Sequence, residues 1–236
     1  MAYDGTNYHG WQMQPNGVTI EEVLNYHLSE LLKEPIRIIG ASRTDAGVHA
    51  LCQKVMFDTE TTIPPEKICL ALQKFLPKSI EIIKSEEVNK DFNVRFDVSD
   101  KTYEYHIYNN ENKNPLYRNY SEYVKNPLDI NLMNKACKYF LGEHDFTMLR
   151  SAGSEVSSTV RNVSMAKISR CGDLAVFEVT ADGFLYNMVR KMAAALKAIG
   201  EGKADKKRLL RIVDAKESFS LVAPPCGLYL WEVKYE

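Results

Sequence analysis

One polar loop offers the best candidate for a catalytic group, the carboxylate of Asp45. An apolar run at residues 36–39 leads into this loop and a run with β-branched and aromatic residues, 51–57, follows it, so we predict a loop between two strands. The loop is built from small residues, including glycines that allow backbones to approach closely. Arg43 lies two residues before Asp45. Because loop aspartates commonly serve only as turn formers, Asp45 alone does not define a chemistry.

The loop as a whole is far less generic than its aspartate. Residues 39–50 read Ile-Gly-Ala-Ser-Arg-Thr-Asp-Ala-Gly-Val-His-Ala and resemble the signature of the tRNA pseudouridine synthase A family, with Ser42 where glycine is more usual. Four further segments resemble the same family: 3–12, 92–108, 184–190 and 227–230. The resemblance covers nearly the whole chain, and the Asp45 loop is its most specific part.

Composition and patterning exclude several classes of protein. The 236 residues, 45% of them hydrophobic, suffice for one large domain or two intimate halves. No apolar run approaches the roughly eighteen residues of a membrane span, and no secretory signal is visible. Five dispersed cysteines without a Cys-x-x-Cys pair are typical of reduced thiols, which favours a cytoplasmic protein. Since the five histidines are also scattered, we expect no structural metal.

The reaction that the resemblance implies makes few demands on cofactors. Converting uridine to pseudouridine breaks the N1–C1′ bond and joins C1′ to C5 of the same ring. Because no redox change occurs and no atom leaves, we expect no nucleotide, flavin or metal cofactor. The reaction needs a carboxylate at the ribose or base, and a pocket that retains the freed uracil. It also needs the target nucleotide to be flipped out of the RNA stack.

The resemblance assigns the carboxylate role to Asp45 and gives it a cationic partner. The family arginine that pairs with the catalytic aspartate corresponds to Arg190, at the end of the segment 184–190. A nearby guanidinium lowers the pKa of an aspartate by about 1 to 3, which offsets the rise that desolvation causes. The alternative interpretation of Arg190 is a phosphate-binding or solvated arginine.

Tyr103 is the candidate for stacking on the base. It is the first tyrosine of Lys-Thr-Tyr-Glu-Tyr, residues 101–105, and corresponds to the family tyrosine that stacks on the target uracil. Such stacking contributes about 1–3 kcal/mol, which is enough to retain a detached ring. Three tyrosines within residues 103–108 indicate, as the alternative, a half-buried sheet surface with no role in binding.

Further arginines are candidates for contacts with RNA. Arg43 corresponds to a family residue implicated in occupying the space that the flipped base leaves, a task that suits a planar and permanently charged side chain. Arg95 is a candidate phosphate contact. Additional candidates for phosphate contacts are Arg150, Arg161 and the run 203–211.

The segment from Arg190 to Arg211 is strongly basic within a nearly neutral chain. It holds eight Lys or Arg residues against Glu201 and Asp205, a local charge of +6, while the net charge of the whole chain is −1. Such a run is either a solvated helix face or a patch that faces phosphates.

The order of predicted elements indicates an α+β fold of two halves, 1–109 with the Asp45 loop and 110–236 with Arg190 and the basic segment. Helices are predicted at 20–33, 65–76, 129–141 and 184–199, strands at 80–88, 101–108, 160–169, 174–180 and 228–235, and a polar loop at 151–159. The first helix has Thr19 as its predicted N-cap and an apolar face that includes Leu24 and Leu28, and the strands at 160–169 and 174–180 are predicted to form a hairpin. The predicted inward face of the last helix consists of Met188, Met192, Ala195, Leu196 and Ile199. Each half combines helices with antiparallel strands, which indicates a sheet open on one face. The resemblance adds that the two similar halves share a central antiparallel sheet, with helices on one face and a cleft on the other.

The resemblance also implies partners. It implies a homodimer that modifies uridines 38, 39 and 40 in the anticodon arm of tRNA, and no membrane partner. It further implies a β-strand ahead of the segment that begins at Tyr3, where only Met1 and Ala2 stand, which leaves the completeness of the N-terminal sheet open.

Two other classes of function are compatible with parts of the sequence. One is an RNA-binding or chaperone-like protein that keeps the fold without turnover. The other is a carboxylate-dependent hydrolase, which would need a second catalytic acid near Asp45 or a metal cluster. Neither of those patterns is visible in the sequence.

Overall fold

The computed structural model describes residues 1–153 and 156–235. The fold is mixed α+β with a central, mostly antiparallel sheet, which confirms the predicted fold class. The predicted polar loop at 151–159 lies partly outside the described residues. Within the described residues, no helix combines the length and the apolar character needed to cross a membrane.

Helices and strands alternate along the chain. The α-helices are α1 (Ile20–Leu32), α2 (Pro65–Gln73), α3 (Ile130–Cys137), α4 (Met188–Gly200) and α5 (Lys206–Val213). The strands are β1 (Ala2–Tyr3), β2 (Ile39–Gly40), β3 (His49–Ala50), β4 (Val55–Met56), β5 (Ile80–Glu81), β6 (Val98–Asn109), β7 (Glu122–Val124), β8 (Gly142–Asp145), β9 (Val160–Cys171), β10 (Leu174–Ala181) and β11 (Leu228–Tyr235).

The described chain divides into two compact units. The first consists of residues 1–99 together with the end of the chain, 230–235, and the second is Asp100–Tyr229. The boundary therefore falls inside β6 and inside β11, whereas the sequence predicted a division after residue 109.

Short antiparallel strands surround β1 in the first unit. Tyr3 of β1 stands opposite Ala50 of β3 on one side and opposite Ile80 of β5 on the other. Next to β3, the backbone N–H of Leu51 donates to the carbonyl of Leu230 in β11 (2.8 Å). The end of the chain thus completes the sheet of the first unit.

Helix α1 begins where the sequence predicts. The buried hydroxyl of Thr19 accepts a hydrogen bond from the Glu22 backbone N–H at 3.3 Å. This bond satisfies one of the amide groups that lack a partner at a helix start. Leu24 and Leu28 lie on the buried face, and Lys33, with a left-handed backbone (φ 59°), ends the helix.

The predicted strand at 80–88 is wrong beyond its first two residues, which form β5. Two residues of the rest of the segment bond to α2 instead of to a neighbouring strand. Ile82 N–H donates to Gln73 Oε1 at 2.7 Å, and Ser85 Oγ accepts from Cys69 N–H at 2.9 Å. The backbone N–H of Ile82 thus has a partner outside any strand ladder.

The second unit is built on long strands. β6 pairs with β10, β10 with β9 and β9 with β8, all antiparallel, while β7 runs parallel to β6. The predicted hairpin of β9 and β10 is confirmed, and Gly172 adopts a positive φ of 58° in its turn. Tyr103, Tyr105 and Ile107 are buried, as expected for the inward face of β6.

Three predicted helices are shorter than expected, and α2 is one of them because it ends at Gln73 and not at residue 76. Helix α4 begins at Met188 and not at Phe184, because Asn187 has a left-handed backbone (φ 62°, ψ 6°) that an α-helix cannot include. Helix α3 ends at Cys137 and continues as a single 3₁₀ turn, Lys138–Phe140. The predicted inward face of α4 is confirmed, since all of its members are buried: Met188, Met192, Ala195, Leu196 and Ile199.

Replacing Thr19 by alanine should lower the free energy of unfolding by about 1 kcal/mol, because the N-cap acceptor of α1 is lost. Urea unfolding followed by circular dichroism measures this change. The exposed Thr62 provides the control, and Thr62→Ala should leave stability unchanged. Equal stability of the two variants would show that the cap contributes nothing.

Candidate active site

The Asp45 loop lies in the first unit between β2 and β3, and the opening segment of the chain is bonded to it. Trp11 N–H donates to Thr44 O at 2.9 Å, and Gly47 N–H donates to Tyr8 O at 3.3 Å. The carbonyl of Asp45 itself accepts from Val48 N–H at 3.1 Å, which closes a tight turn. Two backbone bonds therefore tie the loop to residues that precede it by more than thirty positions along the chain.

Glycine makes this approach possible, but at positions that the sequence analysis did not credit. A Cβ on Gly5 would meet Val48 O at 2.0 Å, and one on Gly10 would meet Thr44 O at 2.8 Å. Gly10 also has a positive φ of 88°. Of the glycines within the loop, Gly40 packs against the Trp11 ring. The signal was present in the opening motif, although only the tertiary fold shows what it is for.

Residues on both sides of Asp45 are anchored by side-chain hydrogen bonds. Thr44 Oγ1 lies 2.7 Å from the Tyr3 hydroxyl. The buried amide of Gln53 holds Ser42, donating from Nε2 to its carbonyl (2.7 Å) and accepting its N–H at Oε1 (3.3 Å). Between these buried neighbours, Asp45 is half-buried and Arg43 is exposed. The loop thus holds its backbone rigidly while Asp45 remains within reach of solvent.

Arg43 and Arg95, both predicted to contact RNA, interact electrostatically in the first unit. Burial, and secondly the positive charge of Arg43, lower the pKa of the Arg95 guanidinium, while Glu21 opposes the shift. Two guanidinium groups that repel each other favour an anion in their vicinity.

Tyr103 lies on β6 in the second unit. It is 7% exposed, and its ring meets that of Phe184 edge to face, with centroids 5.2 Å apart and an interplanar angle of 82°. This is a favourable aromatic geometry, and it fixes the plane of the Tyr103 ring. Phe184 belongs to the segment predicted as the start of a helix, which the structure shows to be irregular chain and a turn before α4.

Arg190 lies on the first turns of α4 and is held by neighbours within the second unit. Its Nε donates to the carbonyl of Ala223 at 2.7 Å, and its Nη1 donates to Asn187 Oδ1 at 2.7 Å. The half-buried side chain is therefore oriented by two acceptors on different segments.

Several cations of the basic segment 190–211 bond to partners within the second unit. Lys191 is buried, and its ammonium group donates to the carbonyls of Arg150 (2.8 Å) and Phe219 (2.9 Å). Burial lowers the pKa of Lys191. The other internal pairs are Lys197 with Glu122, Lys203 with Glu201, and both Arg208 and Arg211 with Glu217. Lys206 and Lys207 are exposed, and both interpretations of the segment, a solvated helix face and a phosphate-facing patch, stay predictions.

A comparison with protein families identifies the family to which this chain belongs. A family model described as tRNA pseudouridine synthase matches residues 1–97 and 136–236. The chain belongs to the tRNA pseudouridine synthase family. Members of this family are isomerases that act on tRNA. Asp45 and Arg190 lie within the matched residues, whereas Tyr103 lies in the interval between the two matched ranges, 98–135.

Relatives in several bacteria match over the full length. A protein named tRNA pseudouridine synthase A from Clostridium acetobutylicum is 44% identical over 237 aligned positions, which cover 100% of this chain and 97% of that protein. A protein of the same name from Thermoanaerobacter sp. (strain X514) is 42% identical with the same coverage. A tRNA pseudouridine synthase A 2 from Clostridium perfringens is also 42% identical. These matches include the interval that contains Tyr103.

Substituting Gly10 by alanine should destabilise the first unit by about 1–3 kcal/mol and lower turnover, because the added methyl group collides with the backbone of the Asp45 loop. Thermal unfolding and activity assays measure the two effects. Gly142→Ala is the matched control, since Gly142 has a similar φ of 92° but nothing within 4 Å of its added Cβ. If both variants lose the same stability, the cost comes from backbone conformation alone.

Proposed function

We propose that this chain converts uridine to pseudouridine in the anticodon arm of tRNA, at positions 38, 39 and 40, with Asp45 as the essential carboxylate. The construction of the Asp45 loop carries the proposal. Its backbone is fixed by hydrogen bonds to Tyr8 and Trp11 and by the Gln53 amide, while Asp45 itself is only half-buried. A carboxylate on a rigid loop of small residues can approach a ribose without obstruction.

The remaining candidate residues receive roles in the same reaction. Tyr103 stacks on the detached uracil, and the edge of Phe184 supports its ring plane. Arg190 is the cationic partner of the Asp45 carboxylate. Arg43 occupies the space that the flipped nucleotide leaves, and Arg95 contacts a phosphate. The family resemblance supports these roles. Further support comes from the fixed orientations of Tyr103 and Arg190. The mutual repulsion of Arg43 and Arg95 in the first unit also favours a nearby anion.

We further propose that the enzyme works as a cytoplasmic homodimer. The support for this assembly is the resemblance to the family. Five cysteines without a bond between them fit a reducing compartment.

The direct test is chemical mapping of pseudouridine in unmodified tRNA incubated with the purified chain without added cofactor. We expect new pseudouridines in the anticodon arm and none elsewhere. Unmodified tRNA alone and a tRNA with cytidine at positions 38–40 are the controls. If no uridine in that arm reacts, the proposal is wrong.

Asp45→Ala should abolish conversion, by a factor of at least about 10³, while tRNA binding stays within about threefold, because the aspartate performs chemistry and other groups supply affinity. A filter-binding assay and a single-turnover assay separate the two quantities. The exposed Asp58 provides the matched control, and Asp58→Ala should be fully active. Normal turnover in Asp45→Ala would place the active site elsewhere.

Tyr103→Phe should keep most of the affinity for tRNA, because phenylalanine preserves the stacking surface. A loss of turnover in this variant with unchanged affinity would show that the hydroxyl group takes part in proton transfer. Tyr103→Ala should lose both affinity and turnover, as measured in the same two assays. Wild-type behaviour of the alanine variant would exclude Tyr103 from the site.

A further inference from the structure

We propose that Asn187 is a positioning residue for Arg190 in the isomerase reaction. The inference rests on the proposed function, because it concerns the guanidinium to which that function assigns a role. It begins from the unusual backbone of Asn187, which has a φ of 62° and a ψ of 6°. Left-handed conformations are unfavourable for most residues with a side chain, and asparagine is among the few that tolerate them.

The side chain of Asn187 does not perform the usual task of its position. Asn187 stands at the N-cap of α4, where an asparagine oxygen normally accepts a bond from the first turn of the helix. No such capping bond is present at this helix. The amide group is turned toward two other side chains instead.

Both ends of the Asn187 amide are engaged. Its Oδ1 accepts from Arg190 Nη1 at 2.7 Å, and its Nδ2 donates to Ser151 Oγ at 3.1 Å. The bond from a guanidinium to a neutral oxygen is charge-assisted and stronger than a bond between neutral groups. The contact to Ser151 engages the amide nitrogen, while the amide oxygen alone contacts Arg190.

A second contact completes the orientation of Arg190. Its Nε donates to the carbonyl of Ala223 (2.7 Å), and its own carbonyl accepts from the Ala223 N–H (3.2 Å). The guanidinium is thus bonded through two nitrogens to two different segments of the second unit. Rotation about the long side chain would break at least one of these bonds. The plane of the guanidinium is therefore set before substrate binds, as effective electrostatic stabilisation requires.

The chemistry of the position explains why an asparagine serves here. Glycine and aspartate also tolerate a left-handed backbone. Glycine offers no acceptor, and aspartate would form an ion pair that reduces the positive charge of Arg190. Among these residues, asparagine alone offers a neutral oxygen to the guanidinium and a donor to Ser151.

The test begins with Asn187→Gly, which removes both amide contacts while the left-handed backbone remains comfortable. We expect kcat to fall about tenfold and KM to stay within about twofold, because the contact orients a group used in the chemical step. Ser151→Ala is the matched control; it removes the other amide contact and should keep kcat within about twofold. Asn187→Ser, whose hydroxyl is too short to reach Arg190, should resemble the glycine variant. It is the second variant to measure if Asn187→Gly does not fold.

A double-mutant cycle distinguishes positioning from a general effect on structure. If Asn187 acts through Arg190, Asn187→Gly should cause no further loss in kcat when Arg190 is already lysine. Losses that multiply would overturn the proposal, and so would wild-type kcat in both Asn187 variants or an equal loss in Ser151→Ala. A wild-type chain that makes no pseudouridine would instead overturn the proposed function, so the two failures are distinguishable.

Discussion

Two backbone segments of the first unit lie closer together than side chains would permit, and the loop that carries Asp45 depends on this contact. Gly5 and Gly10 in the opening segment face the carbonyls of Val48 and Thr44. Because these two positions lack a Cβ, amide groups of the opening segment and the loop can bond directly. Packing this close converts a short polar loop, which would ordinarily be mobile, into a fixed support for a carboxylate.

In the second unit, several cations are partly removed from water and are held in fixed orientations. A desolvated ammonium or guanidinium group requires acceptors nearby, since its burial is otherwise costly. Lys191 donates to backbone carbonyls, and Lys197 pairs with Glu122. Arg190 donates to the carbonyl of Ala223 and to the amide oxygen of Asn187. These partners bind the segments around α4 to one another. The basic residues Arg190, Lys191 and Lys197 therefore contribute contacts to the internal structure of the second unit.

The prediction of elements from sequence succeeded where local signals agree with the tertiary environment. The N-cap and apolar face of α1, the hairpin of β9 and β10, and β11 all appear as predicted. It failed where a single backbone conformation or a side-chain contact overrides periodicity. Asn187 delays the start of α4, and Gln73 diverts the segment after β5 from a strand. Hydrophobic periodicity reveals neither effect. One depends on the contact between Gln73 and Ile82, and the other depends on the backbone conformation of Asn187.

The residue types alone predict the fold class and the family, because a long run of specific residues rarely recurs by chance. They also indicate Asp45, Tyr103 and Arg190 as candidate site residues. Only the tertiary structure decided what surrounds them: the Phe184 edge against Tyr103 and the acceptors that hold Arg190. The reason is physical, since residue types fix which bonds a side chain can make, while distance and orientation decide which of those bonds it does make.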